Sequence, residues 1–334
     1  MKYKRLSWLD SLRGFGIILI TLGHLGCFEL LERYIYSFHV PLFFFISGYL
    51  YRRGTQSLSD HIKKKTLTIL VPFLTWTFLS TMVNVVLGYN IIPLIKRALT
   101  INGQLTWNSP LWFLLVLYFV EVLFTLLDRI NERTHFKIII FAISLIVFVL
   151  IGDIRLTLKL NLVPFAMVFY CMGNIMRRSI ENRGLFLKRW QKYPLALLLL
   201  VTGFVFGGVL NIRVKYTHAI WGNYLYLFIA AFCSILFYYI LFRNVDRIGY
   251  SKLLTYLGKN SMIIMCAQYW VFRFFDIITK RVWDRVLWHK RDSLKAVLFT
   301  FFTIVVICLI TEGYKKISKN NKALTKIGNL LGIR

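Results

Sequence analysis

The sequence predicts an all-α integral membrane protein with about ten transmembrane helices and with both termini in the cytoplasm. Of its 334 residues, 57% are apolar and only 17% are charged, which excludes an ordinary soluble domain, a collagen and a disordered chain. The apolar residues come in runs of about 20, the length that crosses the hydrocarbon core of a bilayer. Basic residues are distributed unevenly between alternate connections, as in polytopic membrane proteins.

Ten apolar runs are candidates for membrane-spanning helices, and the connections between them are too short for a soluble domain. The runs cover residues 9–29, 34–51, 66–88, 110–128, 137–152, 160–176, 193–210, 218–242, 260–279 and 295–314. We therefore expect residues 1–314 to form a transmembrane domain and residues 315–334 to form a basic cytoplasmic tail. The weak amphipathicity of the tail fits a helix on an anionic leaflet and also fits a solvated charged segment.

The formal net charge is +28, from 42 Lys and Arg against 14 Asp and Glu. In a soluble protein this excess would indicate nucleic-acid binding. Here about twice as many basic residues fall in connections on the same side of the membrane as the N-terminus as in connections on the opposite side. Because basic connections stay in the cytoplasm, this bias predicts cytoplasmic termini. We expect these basic loops to face anionic lipid and not nucleic acid. The five cysteines are isolated within or beside apolar runs, so neither disulfides nor a metal site is predicted.

The first run contains two ionisable side chains that are costly to place in a bilayer, Arg13 and His24. Their spacing is about three helical turns, so they share one helix face roughly 16 Å apart along the axis. Such residues normally face a polar cavity and serve a function. Arginine is a permanent cation suited to phosphate, whereas histidine exchanges a proton near neutral pH. The pair fits a long ligand with an anionic end at Arg13 and a reactive end at His24.

Several motifs follow one another along the chain. They are LDSLRG with His24 in the first run, FHVPLFFFISGY at Phe38–Tyr49, VPF at Val71–Phe73, SPLWFL at Ser109–Leu114 and LGKNS at Leu257–Ser261. In this order they resemble the acyltransferase 3 family of integral membrane acyltransferases, especially members that O-acetylate polysaccharides or sugars. The resemblance extends over spans one to four and nine, and the ten-helix count agrees throughout.

The resemblance implies an enzyme of the plasma or inner membrane that moves an acyl group, usually acetyl, from cytoplasmic acyl-CoA to a hydroxyl of a cell-envelope carbohydrate. It implies no permanently bound cofactor, because acetyl-CoA or another acyl-CoA enters as a co-substrate. The chain departs from the family at two places. Lys65 and Thr68 stand where many members have two arginines three apart, and Gln268 stands where members often have a histidine.

We expect His24, Arg13 and Glu121 to carry catalysis. His24 acts either as general base on the acceptor hydroxyl or as the carrier of the acyl group. Asp10 or Glu121 either orients the imidazole or holds Arg13, since a carboxylate beside an arginine is stabilised in its charged form. Donor phosphates are expected to bind to four cationic residues, Arg13, Lys63, Lys64 and Lys65.

Acceptor binding is expected at four residues, His39, Trp107, Trp112 and Asp10. His39 either binds the acceptor or caps the second helix. The two tryptophans flank the start of the fourth span, where aromatic residues also form interfacial belts. The expected partners are acyl-CoA, a carbohydrate acceptor and anionic lipid at the cytoplasmic face, and the sequence leaves homo-oligomerisation open.

The alternative function is a transporter or flippase of a lipid-linked saccharide, because a buried arginine and glutamate also suit a transport pathway. That class predicts two sequence-related halves with broken helices, and no internal repeat is visible in the sequence. A non-catalytic scaffold would leave Arg13 and His24 without a role. The sequence therefore predicts a membrane-bound O-acyltransferase.

Overall fold

The computed structural model describes residues 6–54, 57–86, 88, 90, 92, 107–183, 189–249, 251–283 and 293–333, and their regular structure is helical. The α-helices in this part of the chain are α1 (Ser7–Leu25), α2 (Glu29–Leu50), α3 (Leu58–Lys65), α4 (Val71–Val86), α5 (Trp112–Ile130), α6 (Thr134–Ile151), α7 (Leu162–Arg183), α8 (Arg189–Phe204), α9 (Tyr224–Asn244), α10 (Asp246–Gly249), α11 (Lys252–Lys259), α12 (Ser261–Trp283), α13 (Ser293–Ser318) and α14 (Lys322–Leu331).

Each of the ten predicted apolar runs lies on a long helical segment. Among the described residues, eight segments are long and apolar enough to cross a membrane, from α3–α4 to α13. The protein is therefore a multi-pass helical membrane protein. The first two helices, α1 and α2, contain 19 and 22 residues, which is also sufficient length for a span, but both include charged residues.

The connection between α1 and α2 is shorter than predicted. Helix α1 ends at Leu25 because Gly26 follows it with a φ of 80°, a backbone conformation that glycine adopts without steric cost. Helix α2 begins at Glu29, five residues before the predicted run. Its first turn contains Glu29 and Glu32, whose carboxylates are favoured at the positive end of the helix dipole. A search for apolar residues alone misses this charged turn.

The third span also begins earlier than its apolar run. The Ser57 hydroxyl accepts a hydrogen bond from the Asp60 backbone N–H at 3.1 Å, which caps the charged helix α3. A π-helical segment, Thr66–Leu70, then joins α3 to α4. The helical segment Leu58–Val86 therefore combines a polar entry with the predicted span.

The chain forms two compact units. The first unit comprises Met1–Ile46, Arg183–Lys215 and Trp221–Leu309, and the second comprises Ser47–Asn182, Tyr216–Ile220 and Ile310–Arg334. The first unit thus contains α1, most of α2, and α8 to α12. The second contains α3 to α6, nearly all of α7, and α14.

Helix α1 packs closely along α11 in the first unit. A Cβ atom added to Gly14 would collide with the Leu254 carbonyl oxygen, and one added to Gly258 would collide with the Asp10 carbonyl oxygen. The hydroxyls of Ser11 and Thr255 are 2.9 Å apart across the same crossing. Small residues therefore allow the two backbones to touch, as they do at tight helix crossings in membranes.

The predicted tail is helical and attached to the second unit. Residues 315–318 continue α13, and α14 follows them. The indole N–H of Trp76 on α4 donates to the Leu331 carbonyl at 3.0 Å, and the Tyr314 hydroxyl donates to the Leu324 carbonyl at 2.6 Å. One side of α14 is therefore held against the protein.

Candidate active site

The imidazole of His24 lies in the last turn of α1 and is half-buried. Two tyrosine hydroxyls approach the same ring nitrogen, Nδ1, at 3.2 Å from Tyr36 and 3.3 Å from Tyr269. Both phenol rings stand nearly perpendicular to the imidazole. Because Tyr36 belongs to α2 and Tyr269 to α12, three helices of the first unit meet at this histidine.

This arrangement places the two nitrogens of His24 in different surroundings. Nδ1 interacts with hydroxyls, each of which can donate or accept a hydrogen bond. Among the described residues, Nε2 has no hydrogen-bond partner. When a tyrosine oxygen accepts from Nδ1–H, Nε2 carries a lone pair and can act as a base. When a tyrosine donates to Nδ1, Nε2 carries a proton and can donate a hydrogen bond.

The partners of the His24 ring differ from the expected carboxylate. The structure places neutral phenol groups at Nδ1, whereas the sequence predicts that Asp10 or Glu121 either orients the imidazole or holds Arg13. Asp10 is buried at the crossing of α1 and α11, where its carbonyl meets Gly258. Arg13 is half-buried on the same uninterrupted helix as His24. The predicted placement of the arginine and the histidine on one helix is therefore confirmed.

His39 is buried in the interior of α2 and does not cap it. Its Nδ1 is 2.7 Å from the Ile35 carbonyl oxygen, and because a carbonyl can only accept, this nitrogen carries the proton. The capping role was wrong because α2 begins at Glu29, ten residues before His39. The imidazole also meets the edge of Tyr36, with ring centroids 4.9 Å apart.

An ion pair between a buried glutamate and a half-buried arginine lies beside Tyr36. The guanidinium of Arg213 is 3.1 Å from the Glu32 carboxylate, and its Cζ lies 4.4 Å from the centroid of the Tyr36 ring. Sequence reasoning missed Arg213, Glu32, Tyr36 and Tyr269. One available signal was the spacing of Glu32 and Tyr36, which places them on one face of α2. No local pattern connects Tyr269 or Arg213 with His24.

Glu121 lies in the second unit, buried on α5. The Lys65 ammonium is 2.9 Å from its carboxylate, and the Tyr170 hydroxyl donates to the same carboxylate at 2.9 Å. Lys63 and Lys64 on α3 are exposed. Of the three predicted donor-binding lysines, Lys65 is therefore the one engaged by a buried acid.

A second buried acid, Asp128, organises the same unit. Its carboxylate is 2.6 Å from the Lys137 ammonium and 3.4 Å from the Arg178 guanidinium. The Tyr51 hydroxyl donates to it at 3.1 Å. The side chains of Asp128 and Lys137 are completely buried, so each charge requires the other. This cluster connects α5, α6 and α7, and nothing in the sequence pattern singled it out.

The two predicted acceptor-binding tryptophans are used in packing within the second unit. The Trp107 indole N–H donates to the Ser80 carbonyl at 3.1 Å. Trp112 is buried and stacks on Tyr216, with ring centroids 5.8 Å apart and planes at 28°. Both contacts hold the start of α5 in place.

The departures from the family pattern have distinct surroundings. Thr68 lies in the π-helical segment and its hydroxyl donates to the Lys65 carbonyl at 3.4 Å. Gln268 is completely buried, and its amide donates to the Met265 carbonyl at 3.3 Å. The residue after Gln268 is Tyr269, which reaches His24. This stretch of α12 therefore contacts the candidate site through a phenol.

The fold and this site define a multi-pass helical membrane protein with a histidine held at the end of its first helix. A family model described as an acyltransferase domain matches residues 6–312. The chain belongs to this acyltransferase family. No cluster of residues that could hold a metal ion occurs in the part of the chain that the structure describes.

Two curated relatives are both called nodulation protein NolL. The protein from Mesorhizobium japonicum is 23% identical over 210 residues, which cover 59% of this chain and 54% of the relative. The protein from Sinorhizobium fredii is 25% identical over 193 residues, covering 52% of this chain and 50% of the relative. The chain thus spans about half the length of the curated relatives it matches. No solved structure matches it.

Proposed function

We propose that this protein is a membrane-bound O-acyltransferase that moves acetyl from cytoplasmic acetyl-CoA to a hydroxyl of a cell-envelope or exopolysaccharide sugar. Membership of the acyltransferase family supports the reaction class. The observation that carries the proposal is the His24 ring, with Nδ1 held by two hydroxyls and Nε2 left for chemistry. The proposed location is the plasma or inner membrane, with both termini in the cytoplasm and anionic lipid at that face.

In the direct route, Nε2 of His24 takes the proton of the acceptor hydroxyl while the hydroxyl oxygen attacks the thioester carbonyl carbon. The carbon–sulfur bond then breaks, and CoA leaves as the thiol with the proton from Nε2. In the covalent route, Nε2 attacks the thioester and CoA leaves as the thiol with the Nδ1 proton. The acceptor hydroxyl then takes the acyl group and returns its proton to the ring.

The donor carries phosphates, so its binding requires cations. We assign this role to Arg13, Lys63, Lys64 and Lys65. Arginine presents a planar fork of N–H donors to phosphate, and the lysines add point charges. Lys65 forms an ion pair with Glu121. We therefore assign to Glu121 the role of positioning the Lys65 ammonium.

The test is acyl transfer in proteoliposomes with acetyl-CoA labelled in the acetyl group and with envelope glycans as acceptors. Mild alkali hydrolyses esters but not amides. Release of the labelled acetyl group from the glycan by mild alkali therefore shows that it was attached to oxygen. We expect His24→Ala to reduce transfer by at least about a hundredfold, the usual contribution of a general base. The exposed His135 provides a matched control, and His135→Ala is expected to keep wild-type transfer.

Two results would contradict the proposal. One is a folded His24→Ala protein that transfers acetyl as fast as wild type. The other is a wild-type protein that consumes no acetyl-CoA with any envelope glycan but moves a labelled lipid-linked saccharide across the bilayer.

A further inference from the structure

The loop after α8 is fixed against the start of α2 by features of the first unit. The π-helical segment Val205–Leu210 ends α8. A Cβ atom on Gly207 would lie 2.5 Å from the Ser37 Oγ, and one on Gly208 would lie 3.0 Å from the Leu30 carbonyl oxygen. A side chain at either position would force these neighbours to shift. The consequence of this close approach is that the residues immediately after the segment lie along the first turns of α2.

Asn211 then fixes the beginning of the loop. Its buried amide donates to the Trp221 carbonyl at 3.1 Å, and its side-chain oxygen accepts from the backbone N–H groups of Ile212 and Asn223 at 3.0 Å. One asparagine thus joins the two ends of the connection between α8 and α9. Arg213 follows two residues later, so its backbone position is determined by these contacts.

The Arg213 side chain is held at two points. The Glu32 carboxylate is 3.1 Å from the guanidinium; the Glu32 side chain is 4% exposed and the Arg213 side chain 35% exposed. A buried carboxylate that lost its cation would be strongly destabilised, so this pair persists. The guanidinium also lies over the face of Tyr36 at 4.4 Å, within the range of cation–π attraction. Lysine could replace the charge but not the planar group that contacts both partners.

The ring that Arg213 covers is the ring whose hydroxyl reaches His24. Resting on the acyl transfer proposed above, we propose that Arg213, anchored by Glu32, is a positioning residue that holds Tyr36 against Nδ1 of His24 and so keeps Nε2 directed to the reacting groups. The guanidinium acts through Tyr36 and not on substrate. Acceptor and donor binding are therefore independent of Arg213.

The same helix contains a control pair. Glu29 and Arg33 are 2.5 Å apart within α2, and the Glu29 side chain is 53% exposed. Arg33→Gln therefore removes an arginine–glutamate pair from the same turns of α2 without touching Tyr36. Exposed pairs of this kind contribute little to stability.

The experiment is a double-mutant cycle on kcat between Arg213→Gln and Tyr36→Phe, with the KM values for acetyl-CoA and acceptor measured in parallel. We expect Arg213→Gln to lower kcat about tenfold, as Tyr36→Phe does, since small misplacements of reacting groups carry costs of this order. Both KM values stay unchanged. In the Tyr36→Phe protein, Arg213→Gln has less than about a twofold further effect, because both changes break one path. Arg33→Gln keeps wild-type kcat.

A second readout does not depend on activity. Histidine ring nitrogens labelled with nitrogen-15 report the tautomer by NMR, and His24→Gln identifies the His24 signals. We expect these signals to shift in Arg213→Gln and Glu32→Gln and to be unchanged in Arg33→Gln.

Multiplicative effects in the cycle, raised KM values, or unshifted His24 signals in Arg213→Gln would overturn the positioning role. Shifted signals in a protein that shows no acyl transfer even as wild type would support the positioning of His24 and overturn the proposed function instead.

Discussion

At the scale of single residues, two phenols hold His24 at Nδ1, and no acidic residue of the described part of the chain contacts its ring. A carboxylate beside Nδ1 would stabilise the charged imidazolium, whereas a phenol is neutral and supports either tautomer of the ring. Tyr36 and Tyr269 contact His24 from two different helices. The ring is thereby oriented while its proton can move, which both proposed routes of acyl transfer require.

Removal of both hydroxyls is expected to have a larger effect than removal of either one. Tyr36→Phe and Tyr269→Phe each leave one hydroxyl on Nδ1, so kcat falls about tenfold in each. The double variant removes both hydroxyls that contact this nitrogen in the described part of the chain, and kcat falls by at least about a hundredfold, towards the level of His24→Ala. The measurement is steady-state transfer from labelled acetyl-CoA. Equal activity of the double variant and wild type would show that the hydroxyls do not orient His24.

At the scale of helices, the contact between α1 and α11 brings together two motifs that are far apart in the sequence. LDSLRG begins the chain's first span and LGKNS lies about 250 residues later, but the Asp10 carbonyl rests where a side chain on Gly258 would be. The sequence places a glycine in each motif, and in the structure Gly14 and Gly258 allow the two backbones to touch. The sequence could not predict the partner, because glycine has no side chain whose chemistry identifies what it meets.

Gly258→Ala is expected to destabilise the protein by about 1–3 kcal/mol, because the added methyl group forces the two backbones apart. The matched control is Gly313→Ala, since a Cβ atom on Gly313 meets nothing within 4 Å and alanine has the higher helix propensity. Thermal unfolding in detergent measures both variants. A Gly258→Ala protein as stable as Gly313→Ala would mean that the α1–α11 crossing is not tight.

At the scale of the whole molecule, the sequence predicts far more of the fold than of the site. The spans follow from apolar length, and the family follows from motifs that stand in order. Tyr269 and Arg213 could not be predicted as neighbours of His24, because that proximity depends on how α8, α12 and α2 pack. Glu121 was predictable as a buried acid, but its partner Lys65 is identified only by the contact of α3 with α5.

Cysteine labelling tests the predicted orientation of the chain. Phe28 is 69% exposed in the connection between α1 and α2, so Phe28→Cys should react with an impermeant maleimide added outside spheroplasts. Arg133→Cys, in the exposed connection between α5 and α6, should react only after lysis. Native Cys27 gives little background, because burial raises the pKa of its thiol to about 11 and the thiolate is the reactive form. Reversed accessibility of the two variants would invert the topology.

The glycine crossing has a mechanical consequence for the first helix. The close contact with α11 lies at Gly14, directly beside Arg13, and His24 lies about 15 Å further along α1. Because both residues belong to one uninterrupted helix, a substitution that displaces α1 at Gly14 would move Arg13 directly and would also shift His24 relative to Tyr36 and Tyr269.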